Sequence, residues 1–414
     1  MPDLHFDLCQ APLPEAVRFI FSRLEAAGHS CYVVGGAVRD RLLGRSPDDF
    51  DLASSARPAE MLRIFSDCKR LTDGLRHGTL GLIFKGKVYE VTSFRADGEY
   101  RDHRRPEKVR FSRNLADDIF RRDFTINALA FRPEDGLLDL VGGTEDLKNG
   151  LIRCVGNPER RFAEDALRIL RAYRFAAVLG FRLEEETRRA ALHHLEDLRY
   201  ISGERIRAEL LRLLKGACFA GTWPLQREML RRILPLDPRL PEEGIKKELS
   251  ALPDDFALRL AFLLRPLPED SQNRLADTLR LSRKEKRAFC RFNRILDERP
   301  DTTITGLMRF ARENGTSLTQ WAELGSLKSD AAASGDQLYW QVVFAQIEDI
   351  RGKKLPRHPG ELKIDGEDLI RLGYRSSRRL GRVLDRLWED VISGAVPNKL
   401  PDLLERAFDL MDEL

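Results

Sequence analysis

Cysteine is sparse and scattered in this chain. Six occur in 414 residues, at Cys9, Cys31, Cys68, Cys154, Cys218 and Cys290, and no two form a Cys-x-x-Cys pair. That distribution suggests neither a cysteine zinc site nor a disulfide framework, and it fits a reducing, cytoplasmic setting. Long apolar runs are missing as well. No uncharged stretch approaches the ~18 residues of a membrane span, and the acidic start Met1-Pro2-Asp3-Leu4-His5-Phe6-Asp7 has no apolar core of an export signal. The expectation is a soluble protein with no membrane partner. Nor does one sign of charge dominate, since 70 basic against 66 acidic residues leave only +4, which by itself names no polyanionic partner. His103, His193, His194 and His358 show no metal-ligand spacing. Repeats and low-complexity tracts are absent, while the length allows about two to four domains with buried cores.

What is present begins with Asp49-Phe50-Asp51, downstream of Gly35-Gly36-Ala37-Val38-Arg39-Asp40. Side chains on a strand repeat with period two, so Asp49 and Asp51 on one strand would share a face, where two carboxylates can hold a divalent metal. That is the chemistry of nucleotidyl transfer. Cys31 to Val34 reads as a strand running into two glycines and then a helix, an arrangement that offers backbone N–H groups to a triphosphate. Either motif alone is weak, because an isolated Asp-x-Asp is commonly a solvated turn and Gly-Gly simply a turn.

The first 150 residues alternate strand and helix patterns. Strands are expected at Ser30 to Val34, Phe50 to Ala53, Thr79 to Phe84, Val88 to Ser93 and Ala128 to Phe131, with Lys85-Gly86-Lys87 at a hairpin tip. Helices are expected from Arg57-Pro58 through Phe65 and from Asp117 to Asn127. From about Asn157 the period is 3.6 throughout, which predicts an all-helical remainder. Joints are expected at the proline-rich Leu234 to Gly244 and Arg265 to Asp270 and at the basic Arg351 to Gly360.

Two further clusters carry charge. In Arg121-Arg122-Asp123-Phe124-Thr125-Ile126-Asn127, an arginine fork suits phosphate oxygens and an aspartate can accept from a ribose hydroxyl. An arginine face paired with Asp117 and Asp118 is the plainer alternative. In Glu164-Asp165-Ala166-Leu167-Arg168, continuing to Arg171 and Arg174, helical steps of three would make Asp165, Arg168, Arg171 and Arg174 a slanted ridge. Such a ridge can wall a pocket or be an exposed arginine stripe. Glu90, in the middle of the Val88 to Thr92 strand, is either a third catalytic carboxylate or a surface acid.

These motifs, in this order, closely resemble the class II tRNA nucleotidyltransferase and bacterial poly(A) polymerase family. The resemblance extends to Arg76-His77-Gly78-Thr79, Tyr89-Glu90-Val91-Thr92-Ser93-Phe94-Arg95, the Asp97 to Pro106 loop and Ser202-Gly203-Glu204-Arg205-Ile206-Arg207-Ala208-Glu209-Leu210, with a weaker match from Leu362 onward. It implies an α+β fold, in which a catalytic head with a small mixed β-sheet flanked by helices (1–150) precedes an all-α neck (151–215), body (216–355) and tail (356–414). Carried onto this sequence, Asp49 and Asp51 would hold Mg²⁺, with Glu90 as third acid. Gly35, Gly36, Arg39 and Arg122 would contact the triphosphate and Asp123 the ribose. Asp165 and Arg168 would read the base, and Arg171 and Arg174 would complete the pocket.

The implied activity is template-independent addition of CCA to tRNA from CTP and ATP, with release of pyrophosphate. An intact Ala96 to Pro106 loop disfavours a CC-only enzyme, while an A-adding enzyme or a poly(A) polymerase stays open, and a noncatalytic RNA-binding protein would be expected to lack a metal-binding acid. The partner is the tRNA acceptor arm, with basic clusters at Arg205 and Arg207, Arg351 to Arg357, and Arg378 and Arg379 as candidate phosphate contacts. No obligate protein partner is implied.

Overall fold

The computed structural model describes residues 12–96, 110–236, 244–264, 267–296, 298–326, 334–375 and 378–413. Cys9, His103, positions 97–106 of the expected loop, and positions 237–243 and 265–266 of the expected joints lie outside them. The chain divides into two compact units, Met1–Lys246 with Ala276–Leu281, and Lys247–Leu275 with Ser282–Leu414.

In the first unit the strands are β1 Cys31–Val34, β2 Asp51–Ser54, β3 Arg70–Leu71, β4 Thr79–Phe84, β5 Lys87–Ser93, β6 Arg95–Ala96, β7 Arg110–Phe111, β8 Leu129–Arg132, β9 Gly136–Asp139, β10 Leu151–Ile152 and β11 Arg182–Leu183. The main sheet has the order β3-β4-β5-β2-β1-β8-β9. It is mixed, because β2 runs parallel to β5 while β1 is antiparallel to both β2 and β8. The five strands expected from sequence are there with their ends shifted by at most a residue; the short β3, β6, β7 and β9 were not foreseen. The β4–β5 turn is tighter than expected, since Phe84 pairs with Lys87 and only Lys85 and Gly86 connect them. Both have positive φ, 50° and 82°, which matches the right-handed strand twist.

Residues of one parity in β1, Tyr32 and Val34, gather with Ala53, Phe94, Ile119, Ala130 and Val155 in one buried cluster. Helix α1 (Glu15–Ala26) packs against β1 and buries Val17, Ile20, Phe21 and Leu24, the spacing of a single helical face. Helices α2 (Gly36–Leu42) and α3 (Pro58–Ile64) follow β1 and β2.

The helix expected from Asp117 to Asn127 is a correction. α4 spans only Leu115–Phe120, and Thr125–Asn127 is a separate 3₁₀ turn. Between them the backbone extends at Phe124 (φ −129°, ψ 147°). Here the N–H of Thr125 donates to Arg153 and the N–H of Val155 donates to Asp123, so the segment pairs across the chain instead of continuing the helix. After α5 (Gly143–Lys148) come α6 (Pro158–Glu164), α7 (Leu167–Leu179), α8 (Glu185–His193), α9 (Gly203–Leu214) and α10 (Trp223–Ile233), with α7 packed on α9. The stretch after Asn157 is not purely helical, because β11 pairs in parallel with β10.

The described part of the second unit is helical. Phe256–Leu263 packs on Arg283–Ile295, and a core of Leu369, Val383, Leu387, Trp388, Leu403 and Ala407 gathers the last helices. Its polar tips are satisfied: Trp388 Nε1 donates to Pro356 O at 2.8 Å, and Tyr374 Oη donates to Ala407 O at 2.7 Å. Each such buried large apolar side chain contributes roughly 1.5–3 kcal/mol relative to exposure.

Candidate active site

The parallel register of β2 and β5 pairs Asp51 with Glu90. Neighbouring strands stand about 4.8 Å apart and paired residues share a face, so the two carboxylates are brought together by backbone pairing alone. Asp49 lies two residues before Asp51 but precedes the strand, so the shared face expected for one strand is corrected to an acid on the lead-in and an acid on β2. Asp49, Asp51 and Glu90 are all exposed at this end of the sheet. The protein around Asp51 raises its carboxyl above the ordinary value, Arg122 opposes this, and the charge of Asp49 adds to it. An acid whose ionisation is opposed by its surroundings, with a second carboxylate acting on it, fits a divalent cation, which relieves that cost.

Gly35 turns the chain from β1 into α2 at φ 73° and ψ −132°, a conformation that glycine tolerates and L residues do not. Its N–H donates to Leu129 O at 3.1 Å, and a Cβ here would lie 3.2 Å from Arg122 Nη1. Arg39 is buried, donates to Asn127 Oδ1 at 2.6 Å, and stands 5.3 Å from the Phe175 ring centroid. Arg122 donates to Asp118 Oδ2 at 2.8 Å, while its Nε has no partner among the described residues. Burial pushes the Asp118 carboxyl up, but Arg122 and Arg121 outweigh burial and hold it below the ordinary range. The alternative pairing of the arginines with Asp118 is therefore realised, and it positions Arg122 beside Gly35.

Asp123 is held on both oxygens. Arg171 Nε donates to Oδ2 at 2.7 Å and the Phe124 N–H donates to Oδ1 at 2.9 Å. Burial favours its neutral form, yet Arg171 prevails and its carboxyl lies below the ordinary value. Arg174 donates to Glu209 Oε2 at 2.6 Å and lies 3.9 Å from the Phe175 ring centroid, and burial lowers the guanidinium to about 10, still charged at neutral pH.

The ridge from Asp165 to Arg174 also needs correction. Asp165 is not helical; it caps α6 with φ −150° and ψ 101°, and α7 starts at Leu167. The break lets the Asp165 carboxylate accept from Arg205 Nη2 at 2.9 Å and from the Leu167 N–H at 3.1 Å. Arg168 Nη1 donates to Glu164 Oε2 at 2.7 Å and to Arg161 O at 2.9 Å, and Arg161 Nη1 donates to the same Glu164 oxygen at 2.8 Å. Sequence reasoning assigned no role to Glu164, Glu209, Asn127 or Phe175. Only the Glu164–Arg168 spacing of four carried a local signal. Arg205, expected at RNA phosphates, is engaged with Asp165 instead. In the second unit Arg351 pairs with Glu348, Arg357 with Glu361, and Arg379 donates to Met411 O.

Comparisons with known proteins bear on the family of the chain. Residues 31–153 match the family model described as Poly A polymerase head domain, and residues 180–228 match one described as Probable RNA and SrmB-binding site of polymerase A. The CCA-adding enzyme of Lacticaseibacillus paracasei is 37% identical over 99% of this chain and 100% of its own length. That of Staphylococcus saprophyticus is 36% identical over 94% of this chain and 96% of its own. A crystal structure of the Bacillus stearothermophilus CCA-adding enzyme in complex with CTP is 28% identical, covers 97% of this chain and 99% of its own, and superposes with a TM-score of 0.69. Sequence similarity that runs end to end, over a shared fold, means that this chain belongs to the CCA-adding enzyme family.

Proposed function

We propose that this protein adds CCA to tRNA 3′ ends from CTP and ATP, with release of pyrophosphate, in the cytoplasm. The observation that carries the reading is the Asp51–Glu90 register with Asp49 alongside and Arg122 facing Asp51. Asp49 and Asp51 would hold Mg²⁺ or a similar divalent ion, with Glu90 beside them, and the ion supplies activation of the primer 3′-hydroxyl and neutralisation of phosphate charge. Gly35 and Gly36 admit the triphosphate close to the backbone, while Arg39 and Arg122 balance its charge. Asp123, anchored by Arg171, accepts from the ribose. Arg174 closes the wall through Glu209 and Phe175.

Base choice follows from donor and acceptor chemistry. Cytosine and adenine both place an amino donor beside a ring-nitrogen acceptor, whereas uracil and guanine carry a carbonyl where the amino group would be. An Asp165 carboxylate that only accepts and an Arg168 guanidinium that only donates select the first pair and leave the second with acceptors facing acceptors. Both side chains are pre-oriented, by Arg205 and by Glu164, so no template strand is needed.

The test is single-turnover extension of transcripts of one tRNA ending at the discriminator base, at CC and at CCA, each with CTP, ATP or both. Addition of C, C and one A to the shortest transcript supports the proposal. Growth of only the CC-ended transcript by one A would make this an A-adding enzyme, long A-tails a poly(A) polymerase, and RNA binding without extension a noncatalytic binder.

A further inference from the structure

His193 and His194 are adjacent in sequence, and on a continuous helix their side chains would diverge by about 100°. They nonetheless converge at the end of α8, with ring centroids 5.0 Å apart. His194 leaves the helix at φ −92° and ψ 9°, and a 3₁₀ turn from Leu195 follows. Both rings meet Glu159, in the first turn of α6, which Asn157 caps through the Arg160 N–H and Pro158 opens. Glu159 Oε2 lies 2.9 Å from His193 Nδ1 and 2.9 Å from His194 Nε2. The three donor atoms all fall within 4.8 Å of one another.

The proton count at His194 is the second observation. Its Nδ1 faces Asp197 Oδ2 at 2.7 Å while its Nε2 faces Glu159, so both ring nitrogens meet carboxylate oxygens, which only accept. A neutral imidazole carries one N–H and one lone pair, so Nδ1–H can serve Asp197 while the Nε2 lone pair is open to a cation; an imidazolium would instead donate to both carboxylates. A cation between Nε2 and Glu159 suits the neutral ring, with Nδ1–H donating to Asp197 in the manner of a carboxylate that orients a metal-bound histidine.

We propose that Glu159, His193 and His194 form a site for a divalent transition-metal ion of the zinc type, with Asp197 as the residue that positions His194. Two imidazoles and one carboxylate, with a fourth position left to water, suit Zn²⁺, whereas nitrogen donors disfavour Mg²⁺. Tetrahedral coordination with bonds of about 2.0–2.1 Å separates donor atoms by about 3.3 Å, so the Glu159 contacts need to open by only a few tenths of an ångström. The ion would tie the start of α6 to the end of α8; the far end of α6 carries Glu164 and Asp165. This site is separate from the Asp49–Asp51 acids and does not depend on their role.

The test uses the full chain, freed of metal with a chelator and titrated with Co²⁺ in excess Mg²⁺ so that oxygen-only sites stay occupied. One Mg²⁺-resistant equivalent with the intense visible bands of four- or five-coordinate cobalt, bleached by one equivalent of Zn²⁺, is expected, together with a higher melting temperature. His193→Gln and Glu159→Gln, at two exposed positions on separate helices, should each abolish the bands. Asp197→Asn should weaken the affinity about 10–100-fold, and Asp49→Asn should leave the bands intact. Absence of a Mg²⁺-resistant equivalent, or bands that survive both His193→Gln and Glu159→Gln, would overturn the proposal and leave an imidazolium ion pair.

Discussion

Arg205 on α9 donates to the Oδ2 of Asp165, which caps α6, so the carboxylate assigned to base reading is aimed by a residue from a different helix. Both side chains are less than a third exposed, at 29% and 20%. A charged hydrogen bond of this kind contributes about 1.5–3 kcal/mol. Arg205→Ala should therefore raise KM for CTP and ATP by about tenfold or more and reduce discrimination against UTP, with RNA affinity little changed. Nucleotide competition in single-turnover assays checks this. Unchanged base preference would mean that Arg205 serves Asp165 only as a structural neighbour.

Asp51 carries a stability consequence with a definite sign. Its carboxyl is raised by the surrounding protein, with Arg122 opposing and Asp49 adding. A carboxyl raised in the folded state favours folding below its unfolded value, and that contribution is lost as pH rises through the folded value. At neutral pH, without divalent metal, the ionised group is a net cost. Asp51→Asn should abolish nucleotide transfer, retain tRNA binding and raise the melting temperature in chelator at pH 7, with the gain shrinking in acid. Thermal melts at several pH values, beside a filter-binding assay, read all three outcomes; retained turnover with Mg²⁺ would remove Asp51 from the chemistry.

Asp123 has the opposite sign. Burial raises its carboxyl, but Arg171 dominates and the net value is lowered. The resulting stability is present above the unfolded value, near pH 4, and is lost as pH falls through the folded value. Asp123→Asn should cost about 2 kcal/mol at pH 7, a figure discounted because Arg171 is partly exposed. As pH falls below about 4 the deficit should shrink, and it should vanish only below the folded value. Urea melts at pH 7 and pH 3.5 test this, and an equal deficit at both pH values would refute it.

Strand pattern was legible because the β1, β2, β4, β5 and β8 segments have short apolar centres, β-branched in β1, β4 and β5, a local signal. The two-residue β3, β6, β7, β10 and β11 are too short to carry any period. The acids and arginines of the proposed site stand out as motifs, while the residues that hold them do not. Glu209 meets Arg174, and Arg205 meets Asp165, only because α7 packs on α9 and α6 ends where it does. Asp165 itself reads as helical until the chain turns there.

Gly35 is where backbone geometry and the proposed triphosphate seat coincide. Its φ of 73° with ψ of −132° costs an L residue about 1–3 kcal/mol, and a methyl group there would stand 3.2 Å from Arg122 Nη1. Arg122 cannot retreat freely, since its other nitrogen is fixed on Asp118 and Nη1 already donates to Asn127 O at 3.3 Å. Gly35→Ala should thus displace the guanidinium and lower nucleotide affinity and kcat together, whereas the neighbouring Gly36→Ala, with only Arg39 Nη2 at 3.6 Å, should be milder. Nucleotide binding by calorimetry, compared with thermal stability for both variants, separates the two effects. If Gly35→Ala lost stability but bound CTP normally, the turn would be a folding element and not part of the triphosphate seat.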